Sequence, residues 1–240
     1  MLDYCAPYDQ PFELLRRKYA FAIEELKRGL SFRSMRSKPA ERLGEHLLSF
    51  YWRGKIGLEE DGLVKAYFRA CPVDACQHCL EFVGRSLGRN LDVRDEVSER
   101  LEALLDSLID DAKTNRVDPM SLVTFGWWFD SPRLNEEWKV TRLLEVLRQT
   151  SRVDPTDTVL ECLISIAERL PLEAAQAVSM IAKGEYEPWD YEYWSTKAFA
   201  VLKKAVTSER EDVRSAAADA AERFGLSGRL EFREFAAVES

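Results

Sequence analysis

Apolar residues recur at intervals of three and four along most of the chain, the spacing that lays one continuous stripe on an α-helix. The first such stretch opens at Pro11, carries Leu15, Tyr19, Ala22, Ile23 and Leu26, and ends near Gly29. A loop, SFRSMRSKP, follows it. Pro39 then sits where a first helical turn tolerates a missing N–H, and Leu43, Leu47, Phe50 and Tyr51 form the next stripe before Gly54 and Gly57 close it. A helix from about Leu58 to Ala70 presents Leu63, Val64, Tyr67 and Phe68, and Pro72 restarts the chain with Cys71 in the capping position. So short a break predicts an antiparallel hairpin. Val97, Leu101, Leu104, Leu105 and Leu108 mark a helix between Val93 and Asp111, Asp118-Pro119 begins another, and Ser131-Pro132 both ends that one and caps a helix through Leu143, Val146 and Leu147.

The last third is the most sharply punctuated. Asp154-Pro155 reads as an N-cap and first-turn proline ahead of Leu160, Leu163, Ile164 and Ala167, and Pro171 starts a helix that Gly184 ends. The insert EYEPWDYEYW reads as a loop, after which Ala198, Leu202 and Ala205 lie on one helical face. Ser208 and Glu211 have the spacing of a capping box for a final helix lined by Val213, Ala217, Ala220 and Phe224, with Gly225 as its left-handed stop.

No segment alternates apolar and polar residues between hairpin glycines, so the predicted fold is all-α. Short helices with short connections and no heptads suit an irregular α-solenoid of antiparallel helix pairs, in which each pair buries its apolar face against its neighbours. A compact helical bundle is the alternative. The pattern divides into an N-terminal helical segment, residues 1–57, and a helical-repeat array, residues 58–240, the two forming one continuous domain.

Composition agrees with a folded helical protein: 240 residues, 46% apolar and 32% charged, are enough for a sizeable core. No apolar run approaches the roughly 18 residues of a membrane span, and MLDYCAPYDQ lacks the layout of a signal peptide. The cytoplasm is the expected compartment, and the five cysteines are expected to be reduced. The net charge is −8, unevenly spread: residues 1–55 hold 11 Lys/Arg against 7 Asp/Glu, which leaves 23 against 35 beyond them. An acidic body disfavours bare nucleic acid and favours basic partners.

Residues capable of chemistry are few. CPVDACQHC places Cys71, Cys76, His78 and Cys79 close in sequence, but offsets of five, seven and eight residues scatter them around a helix. Small buried apolar side chains are the expectation there, with no metal and no cofactor. The only histidines are His46 and His78. Glu45 and His46 are adjacent, hence about 100° apart on a helix, and do not form a dyad with each other. No phosphate-binding glycine loop occurs, and no enzyme activity is expected.

Two aromatic groups stand out. FGWWFDSP carries Trp127 and Trp128, and GEYEPWDYEYW carries Trp189, Tyr191 and Trp194. These rings either clamp neighbouring repeats or anchor a protein partner, since Trp and Tyr dominate binding hot spots. The basic run from Lys27 to Arg42 offers a second function class. An accessory factor for nucleic acid would use Arg33, Arg36 and Lys38 there, although a solvated loop is the commoner origin of such a run.

GEHLLSFYWRGKI, FGWWFDSPRLNEEW and SEREDVRSAAADAAERFGLSGRLEFREF together resemble the C-terminal helical region of large bacterial proteins whose N-terminal parts carry a STAND-type NTPase or another effector, many of them implicated in phage defence. The resemblance covers about Glu45 to Phe235 and rests on structural strings. It implies a HEAT-like array acting as an interaction or sensor module, with an NTPase or effector subunit as the protein partner. The chain departs from that pattern in having neither a Walker motif nor an effector domain.

Overall fold

A computed structural model describes residues 37–52, 61–89, 95–184, 188–226, 228, 230–232 and 235. Among the described residues there are ten α-helices and no strand: α1 Ser37–Trp52, α2 Asp61–Ala70, α3 Val73–Arg89, α4 Asp95–Lys113, α5 Gly126–Phe129, α6 Glu136–Thr150, α7 Thr156–Ile166, α8 Pro171–Lys183, α9 Pro188–Val206 and α10 Glu211–Leu226. Two 3₁₀ segments, Pro119–Phe125 and Leu230–Phe232, complete the order. The first predicted helix, from Pro11 to Gly29, lies outside the described residues. The chain forms two compact units, one of residues 1–83 and 91–121, the other of 84–90 and 122–240.

In the first unit the predicted stripes become the core: Leu43 and Leu47 on α1, Val64, Tyr67 and Phe68 on α2, and Leu101, Leu104, Leu105 and Leu108 on α4 are all buried. Helix α2 packs against both α1 and α4. Tyr67 fixes the crossing, because its buried hydroxyl donates to the Ala40 carbonyl at 2.7 Å and lies 3.3 Å from Cys79 Sγ. That contact leaves no room beside Gly44, where an added Cβ would sit 2.2 Å from Cys79 Sγ and 2.3 Å from the Tyr67 oxygen. The far end of α2 is tied down by charge. Asp111, buried near the end of α4, accepts from Arg69 Nε at 2.6 Å and forms an ion pair with Arg116, whose Nε lies 2.9 Å away. Its carbonyl accepts the Arg116 N–H at 2.8 Å, closing a turn in which Asn115 takes a left-handed φ of 56°.

In the second unit each helix meets the next but one. Helices α6, α8 and α10 pack side by side, α7 packs beside α9 and against α5, and α8 also touches α7 and α9. A helix with neighbours on four sides has little space for side chains, and α8 meets that condition with Ala174, Ala175, Ala177, Val178 and Ser179, all buried. Helix α10 answers with Ala217, Ala220 and Ala221. Helices α7 and α9 bury Val159, Leu160, Leu163, Ala198, Val201 and Leu202, and polar contacts are added between them: Lys197 reaches Asp157 at 2.7 Å and Glu161 at 3.0 Å, and Lys204 reaches Glu168 and the Ile164 carbonyl, each at 2.7 Å. After α10 the chain folds back. Phe232 stacks on Phe224 with centroids 4.5 Å apart, while Phe199 meets Phe232 and Phe235 at 5.8 and 4.6 Å.

Several helix ends differ from the sequence-based expectation. Asn135, not Ser131, caps α6, its Oδ1 accepting the Trp138 N–H at 3.1 Å. Helix α7 starts at Thr156 with Pro155, after a cis peptide bond, in the capping position. The Ser208 hydroxyl accepts from Arg210 at 3.2 Å, a local turn that competes with the expected capping box, and α10 begins at Glu211. Helix α10 then runs through Gly225 to Leu226, and Gly228 is the left-handed residue, with φ of 92° and its N–H on the Gly225 carbonyl. The aromatic insert is not a loop from Pro188 onward, since Pro188 opens α9.

Two substitutions test this packing. Ala177→Leu is expected to lower the stability of the second unit by about 1–3 kcal/mol through overpacking at α8. Phe232→Ala should cost about 3–5 kcal/mol by emptying the stacked ring position. Both are read from urea unfolding midpoints, and an unchanged midpoint for either removes the role assigned to that side chain.

Candidate interaction surface

The aromatic residues singled out in the sequence take different positions. Trp128 is fully buried and Trp194 only 6% exposed, so both rings serve the interior of the second unit. Trp127 is half-buried, with the Arg85 guanidinium 3.9 Å from its ring centroid. Its backbone and Cβ press on Gly84, where an added Cβ would meet the Trp127 Cβ at 2.7 Å. Trp189 and Tyr191 fall in the first turn of α9, and their side chains lie outside the described residues. Tyr193, on the same helix, is 72% exposed. Of the basic residues, Lys38 is exposed at the start of α1, and Arg33 and Arg36 lie outside the described residues.

The cysteine cluster is part of the core of the first unit. Cys76 Sγ lies 3.5 Å from the Phe68 carbonyl and Cys79 Sγ 3.8 Å from the Glu41 carbonyl. Burial pushes the Cys76 thiol up to about 12, Cys79 and Cys71 move up for the same reason, and neighbouring thiols add to the shift of both. Protonated thiols of this kind are poor nucleophiles and poor ligands. Among the described residues no three His, Cys, Asp or Glu side chains are placed to hold a metal ion. His78 points elsewhere: its Nε2 is 2.8 Å from Glu45 Oε1, a pair between α1 and α3. Sequence adjacency drew attention to Glu45 and His46, whereas the partner lies 33 residues on.

Another buried titratable group has no local sequence signal. Lys139 sits on α6 with its ammonium donating to the Phe129 and Ser131 carbonyls, both at 2.9 Å, which closes the end of α5. Burial lowers its pKa. With both acceptors inside the protein, this lysine acts as a structural cap.

Open cavities occur among the described residues of both units. In the first unit a space of about 460 Å³ is bordered by Arg69, Arg116, Asp118 and the first turn of α3 at Val73. Its arginines are both ion-paired with Asp111, and Asp118 accepts the Met120 N–H at 2.9 Å. In the second unit a groove of about 550 Å³ runs along α8 and α10. Leu172, Gln176, Met180 and Lys183 form its α8 side. Ser215, Ala216 and Asp219 form its α10 side, and Arg148 enters from the last turn of α6. The small residues of α10 keep that side low, which is what opens the groove.

The sequence gives only a faint signal for this surface, because last-turn bases such as Arg148 and Lys183 are ordinary complements of a helix dipole. Set against known proteins, the chain matches no family model, no curated protein and no solved structure.

The thiol positions carry a pH consequence. Cys76 titrates near 9.0 when unperturbed and near 12 when folded, so the unfolded chain loses this proton first as pH rises. Its burial contributes stability below about pH 9, and that contribution fades as pH climbs toward 12. The urea midpoint should therefore fall between about pH 8 and 10.5, and Cys76→Ala should make that fall shallower; an identical slope in the variant removes the assignment.

Proposed function

We propose that the chain is a non-enzymatic interaction module, an irregular HEAT-like array whose helix pairs present a groove to a protein partner. The observation that carries this reading is the α6–α8–α10 row, which packs through small residues and leaves one side open as the groove of about 550 Å³. Helices that contact their next-but-one neighbours build extended surfaces suited to gripping another chain. The chemistry on view agrees: the cluster thiols are held protonated by burial, and His78 and Lys139 are occupied by internal partners. No described helix is long and apolar enough to cross a membrane.

The resemblance of the GEHLLSFYWRGKI and FGWWFDSPRLNEEW strings to the helical region of NTPase–effector proteins suggests the class of partner, an NTPase or effector subunit of a bacterial defence or signalling complex. In such an arrangement the array supplies recognition and the partner supplies the reaction.

Ser215 is exposed in the groove, so Ser215→Trp fills the groove without touching the core. A tagged chain expressed in its native host is expected to retain a stoichiometric protein partner. The Ser215→Trp variant, with an unchanged melting temperature, should lose it. Recovery of no stoichiometric partner, or equal recovery by both proteins, overturns the reading.

A further inference from the structure

The α8–α10 groove differs in charge from the rest of the molecule. The whole chain carries −8, yet the two carboxylates on the groove wall are each engaged by an arginine of the same segment. Asp212 takes two bonds from Arg210, at 3.1 and 2.6 Å, and Asp219 lies 3.5 Å from Arg223. Arg148 and Lys183 face the same space with no ion-pair partner among the described residues. Two acids neutralised in place and two bases left open give the groove a positive character on an acidic protein. Charge complementarity of this kind draws acidic segments to the groove.

The dimensions and apolar residues narrow the occupant. Leu172 and Lys183 are eleven positions apart on α8, about 16 Å, the length of three helical turns or five extended residues. Leu172 and Met180 supply apolar contact along that length, and the flexible Met adapts to varied side chains. We propose that this groove takes an acidic amphipathic segment of a partner protein, its carboxylates held by Arg148 and Lys183 and its apolar residues lying on Leu172 and Met180. The proposal rests on the reading of the chain as an interaction module and adds the chemistry of what it recognises. It runs against the sequence-based expectation that the acidic body selects basic partners.

The test uses the full chain and three probes: a peptide of about twelve residues with Glu and Leu at helical spacing, the same peptide with Lys for Glu, and a single-stranded oligonucleotide of similar reach. Titration followed by backbone amide resonances is expected to show the Glu peptide shifting α8 and α10, more weakly at about 300 mM salt than at about 50 mM. The double variant Arg148→Glu/Lys183→Glu should weaken this binding by about tenfold or more and favour the Lys peptide instead. Because both bases also complement helix termini, its urea midpoint is measured alongside, and Arg148→Gln/Lys183→Gln serves as a milder second variant. Preference of the unaltered chain for the Lys peptide, oligonucleotide binding in the groove, shifts confined to other helices, or Glu-peptide binding indifferent to both double variants overturns the proposal. If the Ser215→Trp variant loses a native partner while the Glu peptide fails to bind, the interaction reading stands and the acidic occupant falls.

Discussion

The second unit depends on how closely helices can approach α8. This helix touches α6, α7, α9 and α10, and it has room for them because Ala174, Ala175 and Ala177 project almost nothing from its surface. Axis separation follows side-chain size at the contact, so three alanines and a buried serine draw the neighbours inward where leucines would hold them apart. The same economy recurs on α10 with Ala217, Ala220 and Ala221 on its buried face. On the open side, Ser215 and Ala216 continue it, and the groove exists because that stretch of α10 carries no bulk.

The first unit is organised differently, by single polar contacts at helix crossings. Tyr67 reaches across α1 to the Ala40 carbonyl, and Gly44 is required beside it since any side chain would collide with the phenol and the Cys79 thiol. Asp111 does comparable work at the other end of α2. A carboxylate so deeply buried is tolerated because two guanidiniums meet its oxygens, and removing one partner of such an arrangement costs more than the pair contributes. Charge here specifies position more than it adds stability.

Much of this was legible in the sequence, and the exceptions have physical causes. Stripes such as Leu101, Leu104, Leu105 and Leu108 became core because three-and-four spacing and burial are the same statement on a helix. The prolines at 171 and 188 both open helices, yet the second was hidden by an insert so dense in aromatics that it read as a loop. Trp194 and Ala198 in fact continue the stripe of α9 by a step of four, and both are buried. Caps were misread where a local competitor wins: Ser208 closes its own turn on Arg210, and Gly228 takes the left-handed conformation expected of Gly225. The groove was the least legible feature, since Arg148 and Lys183 are commonplace in last turns and meaningful only once Asp212 and Asp219 are found occupied. His78 with Glu45, and Lys139 with the end of α5, are contacts between elements that no local pattern encodes.

The two rows of the second unit share an apolar interior and differ in what they add to it. The α6–α8–α10 row closes through alanine contacts, whose strength does not decline with ionic strength. The α7–α9 row buries Val159, Leu160, Leu163, Ala198, Val201 and Leu202, and at its surface Lys197 and Lys204 add bridges to the exposed Glu161 and Glu168 that dissolved salt screens. Ionic strength therefore acts on the surface bridges of one row and spares the apolar contacts of both. Salt removes no more than the small contribution of the exposed ion pairs, and the groove-bearing row keeps its spacing.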